Sequence, residues 1–294
     1  MLNMNISIPP ETGWLHPAFV DIVSIQSQVI YGKVGNNVAI PTLESFGLKV
    51  ASVPTVLLSN PSHFPSVHGG VVPIDWLRGY LNDLKRNGAL KHLRAVLIGC
   101  LGHPDHVLVL VDWINHLRRE MKDLLVIIDP VIGDHDVGIY VDVDLIDAYR
   151  QHLLPLATGL TPNSYELALL TEMAGHHEEN VKDAASRLLG THTHWVVTTS
   201  AAPGDWPNGN IGINVVTKDD STTINHQKIE CNCKGTGDLF AANLIVHLLK
   251  GINIHQATAL AASYVVKVLE KTRVACCSEL ILPTNSFLEH FESS

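Results

Sequence analysis

The chain alternates between short apolar runs rich in β-branched residues and longer segments whose apolar residues recur with helical spacing. Buried strands are predicted at residues 21–25, 94–98, 124–128 and 195–199. Because helical segments separate these runs, the strands are expected to be parallel and joined by right-handed crossovers. The alternation therefore predicts a layered α/β fold with a mostly parallel central sheet.

The same patterns predict the remaining elements. Helices are predicted at residues 34–46, 73–86, 103–121, 141–154, 164–172, 180–189, 237–249 and 255–271. Further strands are predicted at residues 50–58, 211–216 and 222–229. A loop rich in Pro, Ser, His and Gly is expected at residues 59–72. No change of composition marks a second domain, so we expect one domain over residues 20–294 after an extension over residues 1–19.

Charge and composition limit the possible partners and the location of the chain. The formal net charge of −9 over 294 residues argues against binding to nucleic-acid phosphates, although one loop can still hold a nucleotide. No apolar run is long enough for a membrane span, and the first residues do not resemble a signal peptide. The five cysteines lack a framework spacing, which predicts reduced thiols and a cytoplasmic location.

A glycine-rich loop near the end of the chain carries the strongest chemical signal. Gly235 and Gly237 allow the backbone to approach a ligand closely, and an apolar helix follows them. The free N–H groups at the start of such a helix can bind a phosphoryl group, and Asp238 could accept a proton from an attacking hydroxyl. The alternative is a helix capped by Thr236 or Asp238. A dinucleotide-binding loop is disfavoured because no third glycine follows at the required spacing.

Three other polar positions follow predicted strands, where ligands bind in open parallel sheets. Asp129 ends a buried strand, where an unpaired charge is costly, but it could also belong to a turn. Thr161 ends another strand, and Glu166 lies in the first turn of a helix, where a capping box with Asn163 is the alternative. Thr199 could contact phosphate, or it could be present only because threonine favours β-strands.

Taken together, these stretches resemble the pyridoxal kinases of the ribokinase-like superfamily. The resemblance covers residues 21–271 and rests on IQSQVIYGKVGN at 25–36, PTVLLSN at 54–60, DPVIGD at 129–134, TPN-x-x-E at 161–166 and GTGD at 235–238. It implies a three-layer α/β/α ribokinase-like fold. It also implies phosphorylation of the 5-hydroxymethyl group of pyridoxal, pyridoxine and pyridoxamine by ATP, with Mg²⁺, a possible requirement for K⁺, and a homodimeric assembly.

The resemblance also implies a role for each matching residue. Asp238 is the expected base, and Gly235, Thr236 and Gly237 form the anion hole. Ser27 and His63 are expected to contact the pyridine substrate. The residues expected around the nucleotide and Mg²⁺ are Asp129, Thr161 and Thr199 at the phosphates, Ile224, Asn225, His226 and Gln227 at the adenine, and Tyr140 and Glu166 near the metal. The loop at residues 132–140 is expected to close over ATP, which excludes water.

One departure and three rival functions remain open at this point. Many relatives carry a tyrosine that covers the substrate ring where this chain has Cys100, which puts affinity or selectivity in question. Hydroxymethylpyrimidine phosphorylation would use the same site on another flat alcohol. A non-catalytic sensor of pyridoxal phosphate or nucleotide would not need Asp238 within an intact GTGD. A nucleotide-binding dehydrogenase is disfavoured because its glycine-rich loop would occur early in the chain.

Overall fold

The computed structural model describes residues 18–175, 177–206 and 209–283. Within these residues, nine strands form one sheet and two short strands form a separate hairpin. The strands of the large sheet are β1 (Ile22–Val29), β2 (Val50–Leu58), β3 (Gly69–Val71), β4 (Ala95–Ile98), β5 (Leu125–Ile128), β8 (Gly159–Leu160), β9 (Trp195–Ala201), β10 (Asn210–Thr217) and β11 (Ser221–Gln227). The hairpin consists of β6 (Gly133–Asp134) and β7 (Gly138–Ile139).

Helices connect most of the strands. They are α1 (Asn36–Ser45), α2 (Ile74–Arg86), α3 (Pro104–Glu120), α4 (Val143–Ala148), α5 (Ser164–Thr171), α6 (Glu178–Leu188), α7 (Thr236–Leu249) and α8 (Ile254–Val274). In the part of the chain that the structure describes, none of them is both long and apolar enough to cross a membrane.

The order of the strands confirms the predicted sheet. Across the sheet the order is β11-β10-β9-β8-β5-β4-β1-β2-β3. The six strands from β9 to β2 pair in parallel, while β3, β10 and β11 are antiparallel additions at the two edges. The carboxyl ends of the six parallel strands therefore lie along one side of the sheet, where ligands bind in folds of this class.

The sheet is covered by helices on both faces. Along β4, Val96 and Ile98 pack with α2, α3, α4, α5 and α6, while Ala95 and Leu97 pack with α1, α7 and α8. This division follows from the two-residue period of a strand, in which successive side chains point to opposite faces. Both faces are buried, so the strands read as continuous apolar runs rather than as alternating patterns. The predicted three-layer α/β/α fold is confirmed.

Some predicted boundaries were wrong. The loop predicted at residues 59–72 contains β3, and the loop at residues 132–140 contains the β6–β7 hairpin. The helix predicted at residues 141–154 is interrupted: after α4 the chain forms a wider turn at Tyr149–Leu153 and a tighter one at Leu154–Leu156. Pro155 lacks the N–H that a continuing α-helix needs, which accounts for the irregular turn at Leu154–Leu156 but not for the end of α4 at Ala148. The expectation for residues 1–17 lies outside the described residues.

The expectation of reduced thiols is also corrected. Cys231 and Cys233 form a disulfide across a single intervening residue, while Cys100, Cys276 and Cys277 are free. Because both sulfur atoms are in the disulfide, Cys231 and Cys233 are not available as metal ligands. The disulfide lies just before the glycine-rich loop at Gly235 and Gly237.

Candidate active site

Residues that follow parallel strands meet at the carboxyl edge of the sheet. Asp129 comes directly after β5 and Thr161 directly after β8. The Thr161 hydroxyl donates a hydrogen bond of 2.9 Å to Oδ1 of Asp129, and both residues are buried. Thr199 lies on the neighbouring β9, and its N–H donates to the carbonyl of Pro162 at 2.9 Å. These contacts bring together three of the residues expected at the phosphates.

The glycine-rich loop forms the start of α7. Gly235 occupies the N-cap position with a φ of 88°, in the left-handed region that favours glycine. No side chain caps this helix, and Thr236 is its first residue rather than its cap. Asp238 does not cap it either, because its Oδ2 accepts a hydrogen bond of 2.8 Å from the N–H of Gly35. The capping interpretation of this loop is therefore not realised, and the first turn of α7 remains suited to an anion.

The turn after β1 packs against this loop so closely that only glycines fit. A Cβ atom on Gly235 would lie 2.3 Å from the carbonyl oxygen of Lys33. Gly35 has a φ of 55°, and a Cβ atom there would lie 2.6 Å from the hydroxyl of Ser27. Gly237 is different, because its nearest neighbour would be Oδ2 of Asp129 at 3.6 Å. Ser27, Asp129 and Asp238 are thereby assembled around one point in the fold.

The two aspartates affect one another's ionisation. Burial raises the pKa of Asp129 to about 7, and the nearby charge of Asp238 adds to the shift, while the hydrogen bond from Thr161 opposes it. Burial also raises the pKa of Asp238, while the N–H of Gly35 opposes the shift. Two carboxylates in a buried place are costly when both are ionised, so this site is short of positive charge.

Glu166 holds the loop after β5 in place. Its Oε1 accepts hydrogen bonds from the N–H groups of Ile132 at 3.0 Å and Gly133 at 3.5 Å, and its Oε2 accepts one from Asn163 at 2.9 Å. Asn163 in turn accepts from the N–H of Glu166, so the capping box proposed from the sequence is present. Burial and the charge of Asp129 raise the pKa of Glu166, and the three N–H donors lower it.

The hairpin at residues 132–140 is connected to the glycine-rich loop. Oδ1 of Asp134 accepts hydrogen bonds from the N–H groups of Asp136 and Val137, which closes the turn between β6 and β7. Oδ2 of Asp134 forms an ion pair with the Lys234 ammonium group at 3.4 Å. The aspartates of this loop therefore shape a hairpin and do not cap the next helix, which begins after Asp142.

Tyr140 follows the hairpin, and its N–H donates to the carbonyl of Ile132 at 3.1 Å. The side chain is 46% exposed. Partial burial and the charge of Glu166 nevertheless raise the pKa of its hydroxyl, which stays protonated at neutral pH. Tyr140 therefore adds a neutral hydroxyl near the carboxylates.

His63 lies in the loop between β2 and β3, which we call the substrate flap (residues 59–68). Its Nε2 is 3.7 Å from Oε1 of Glu279, a residue that the sequence did not indicate. Oε2 of Glu279 accepts a hydrogen bond of 2.7 Å from the N–H of Lys33. No motif surrounds Glu279, and it lies in an irregular segment after α8, so only its carboxyl group could have drawn attention.

The residues expected at the adenine lie apart from the carboxylates. Ile224, Asn225, His226 and Gln227 are on β11, where each pairs with a residue of β10. β11 is the outermost strand of the sheet and is separated from β5 by β10, β9 and β8. A nucleotide that reaches both regions would extend along the carboxyl edge of these strands.

Comparison with known proteins identifies the family. The family model for phosphomethylpyrimidine kinase matches residues 41–279. The pyridoxine/pyridoxal/pyridoxamine kinase of Bordetella bronchiseptica is 51% identical over 273 residues, which cover 93% of this chain and 96% of the relative. The chain belongs to the pyridoxal kinase family. It is accordingly an ATP-dependent kinase, as the members of this family are.

Solved structures of pyridoxal kinases have the same fold. That of Leishmania donovani in complex with ADP and pyridoxamine is 28% identical, with a TM-score of 0.79, covering 85% of this chain and 86% of the other. That of Entamoeba histolytica is 24% identical, with a TM-score of 0.80, covering 86% of this chain and 90% of the other, and supports the fold alone.

The donor set of the site fits the Mg²⁺ that kinases of this family imply. Asp129, Glu166 and Asp238 supply the oxygen ligands that Mg²⁺ prefers, in a region short of positive charge. No group of three or more such side chains converges on one point among the described residues. This fits an ion held by one or two carboxylates together with phosphate and water, which is how Mg²⁺ is usually bound beside nucleotides.

Proposed function

We propose that this chain transfers the terminal phosphoryl group of ATP to the 5-hydroxymethyl group of pyridoxal, pyridoxine and pyridoxamine. The observation that carries the proposal is the hydrogen bond from Gly35 to Asp238. It fixes a carboxylate at the start of α7 without using it as a helix cap. The similarity to the Bordetella pyridoxine/pyridoxal/pyridoxamine kinase and to the Leishmania enzyme in complex with ADP and pyridoxamine supports the same reaction.

Asp238 acts as the base in this proposal. The proton of a primary alcohol must leave as the phosphoryl group arrives, and a positioned carboxylate can accept it. One oxygen of Asp238 is held by Gly35, which leaves the other for the substrate hydroxyl. Burial raises the pKa of Asp238 toward the working pH, which makes it a stronger base than an exposed carboxylate.

The surrounding residues bind and screen the reacting phosphates. The N–H groups of Gly235, Thr236 and Gly237 face the developing charge at the positive end of α7. Thr199 supplies a hydroxyl donor, and Thr161 holds the Asp129 carboxylate beside the phosphates. Tyr140 closes the site with the hairpin that Lys234 joins to the glycine-rich loop. Ile224, Asn225, His226 and Gln227 border the adenine, and Ser27 and His63 contact the pyridine ring.

The finer assignments rest on the family resemblance and the donor set. Asp129 would hold Mg²⁺ together with the ATP phosphates, Glu166 and Tyr140 would act on it through water, and the ion would supply charge neutralisation. The proposal also includes activation by K⁺, a homodimeric assembly, a cytoplasmic location and a single domain over residues 20–294. Activity in KCl compared with NaCl, and sedimentation of the purified chain, test the first two.

The deciding experiment is an ADP-release assay with product detection. Pyridoxal, pyridoxine, pyridoxamine and hydroxymethylpyrimidine are compared at equal concentrations, with Asp238→Asn as the blank. Hydroxymethylpyrimidine is the second candidate because the matching family model is that of phosphomethylpyrimidine kinase. Vitamer phosphates above the blank support the proposal. Turnover of the pyrimidine alone would replace it, and binding without turnover would favour a sensor.

A further inference from the structure

Glu279 is a nearly buried carboxylate that the proposed reaction has not yet used. Its side chain is only 15% exposed. Oε2 is satisfied by the N–H of Lys33 at 2.7 Å. Oε1 is buried and accepts no hydrogen bond in the described part of the chain, although His63 Nε2 lies 3.7 Å away. Since a buried carboxylate oxygen without a donor is costly, this arrangement requires an explanation.

Three segments that are distant in sequence meet at this carboxylate. They are the turn after β1, the substrate flap and the segment after α8. Gly32, with a φ of 117°, lies at their junction. A Cβ atom on Gly32 would lie 2.6 Å from Cδ of Pro61 and 3.3 Å from Oε2 of Glu279. The junction is therefore closely packed, and the position of Glu279 is fixed by its surroundings.

The Lys33 peptide connects Glu279 to the phosphoryl-transfer loop. Its N–H donates to Glu279, and its carbonyl oxygen lies against Gly235, the N-cap of α7. Two residues later, the N–H of Gly35 holds Asp238. A shift of the Lys33 peptide would therefore be passed to both the anion hole and the base.

The second oxygen of Glu279 faces His63. If Nε2 of His63 carries its proton toward Glu279, Nδ1 becomes a hydrogen-bond acceptor in the neutral imidazole. A separation of 3.7 Å exceeds a direct hydrogen bond, so the contact has to be bridged by water or shorten when substrate binds. Either way, the carboxylate selects one tautomer and orientation of the ring.

We propose that Glu279 is a positioning residue for phosphoryl transfer, acting through two partners. Oε2 fixes the Lys33–Gly35 turn against the loop of residues 235–238, and Oε1 orients His63 toward the vitamer. The inference rests on the proposed function and adds to it a residue from the segment after α8. It distinguishes two effects, since the Lys33 contact governs turnover and the His63 contact governs vitamer affinity.

Two substitutions separate these effects. Glu279→Gln retains an oxygen for the Lys33 N–H but removes the charge that faces His63. We expect it to raise the KM for pyridoxal about 10-fold, the usual result of losing a charged hydrogen-bond partner, with kcat within about 2-fold of wild type. Glu279→Ala loses both contacts and should also lower kcat about 10-fold. The KM for ATP should stay unchanged in both, and Glu270→Gln on the exposed face of α8 is the matched control.

A double-mutant cycle tests the route through His63. In a His63→Ala background, the added effect of Glu279→Gln on the KM for pyridoxal should disappear. An equal effect in both backgrounds, or wild-type constants in both Glu279 variants, would overturn the proposal. Amide hydrogen exchange at Lys33 and Gly35 should be faster in Glu279→Ala than in wild type. This readout does not depend on the alcohol used, so a failure of the proposed vitamer reaction is distinguishable from a failure of the positioning role.

Discussion

The N–H of Gly35 donates a 2.8 Å hydrogen bond to Oδ2 of Asp238, across 203 positions of the sequence. The bond places an aspartate at the start of α7 without making it part of the helix cap. It also joins the turn after β1, which borders the expected vitamer site, to the loop expected to hold phosphate. The chemistry of the site depends on this connection.

Asp238→Asn tests the base directly. Asparagine retains an oxygen for the Gly35 N–H but loses the basic oxygen, so we expect turnover to fall roughly 10²–10⁴-fold. ATP affinity should change little, because the anion hole is formed by the backbone. The melting temperature should not fall, because Asp238 does not cap α7 and burial opposes its charge. Steady-state phosphorylation, ATP titration and thermal melting are measured on one preparation. Near-native turnover would remove the catalytic assignment.

The two glycines of the loop should respond differently to alanine. Gly235→Ala places Cβ 2.3 Å from the Lys33 carbonyl at a φ of 88°, so the melting temperature should fall together with activity. Gly237→Ala meets its nearest atom at 3.6 Å, so the fold should persist while the added methyl group hinders the phosphoryl group. Gly190→Ala, with no atom within 4 Å, is the control. A Gly237→Ala enzyme with wild-type kcat and KM for ATP would contradict the proposed anion hole.

Asp129→Asn should stabilise the ligand-free protein at alkaline pH. The pKa of Asp129 is raised from 3.8 to about 7, so its ionisation costs stability as the pH rises through 7. Asparagine keeps the oxygen that Thr161 bonds. We expect the variant to melt higher than wild type at pH 8 in a chelating buffer, with the gap closing toward pH 4.

If the difference in melting temperature between Asp129→Asn and wild type stays the same across that pH range, Asp129 is not the group whose charge opposes folding. Thr161→Val is a useful companion, because it removes the hydroxyl that stabilises the Asp129 charge. It should lower the melting temperature at pH 8 more than at pH 4. Both Asp129→Asn and Thr161→Val should lose activity, since they alter groups expected at the phosphates.

Glu166→Gln tests the metal role against the capping role. The substitution replaces one oxygen of Glu166 by an NH₂ group that faces N–H donors. The loop at Ile132 and Gly133 should therefore loosen, and the free energy of unfolding should fall by about 1–3 kcal/mol. If Glu166 also acts on Mg²⁺ through water, the Mg²⁺ needed for half-maximal rate should rise. Asn163→Ser is the control, because it loses the bond to the Gly133 carbonyl but keeps every carboxylate. An unchanged Mg²⁺ titration would leave Glu166 with the capping box alone.

Cys100→Tyr tests the position expected to cover the substrate ring. Cys100 is partly buried after β4, and burial raises the pKa of its thiol to about 12, so the thiol stays neutral. A tyrosine that stacks on the ring should lower the KM for pyridoxal by roughly 2- to 10-fold, from about 0.5–1.5 kcal/mol of aromatic contact. Cys100→Ser, which is small and cannot stack, should leave the KM near the wild-type value. A weakened or unfolded tyrosine variant would show that the site is packed for a small residue.

The sequence predicted the large elements because their apolar periods are long. The strands at residues 94–98 and 195–199 and the helix after Gly235 were located to within one or two residues. The short β3 and the β6–β7 hairpin were missed because two or three residues carry no period, and β3 begins with two glycines. The helix predicted at residues 141–154 does stop before Pro155, but its apolar spacing did not indicate that α4 already ends at Ala148.

The placement of side chains at the carboxyl edge of the sheet was predictable where local motifs carry it, and not where only tertiary contacts do. Asp129, Thr161 and Asp238 follow strands or glycines, so their positions could be read from the chain. The hydrogen bond from the Gly35 N–H to Asp238 could not be predicted in this way, since nothing in either segment of the sequence points to the other. Glu279 was missed for the same reason, because both of its contacts lie more than 200 positions earlier.

The Lys33–Glu279 hydrogen bond has a consequence for biosynthesis. Its partners are 246 positions apart, and it closes only after α8 has been made. Domains assemble from the amino-terminal side as the ribosome extends the chain, so β1, β2 and β4 can pair while the later segments are still being translated. The turn that holds Asp238 gains this hydrogen bond only after residue 279 has been translated. A nascent chain released before Glu279 could therefore assemble most of the sheet while its phosphoryl-transfer loop still lacked this anchor.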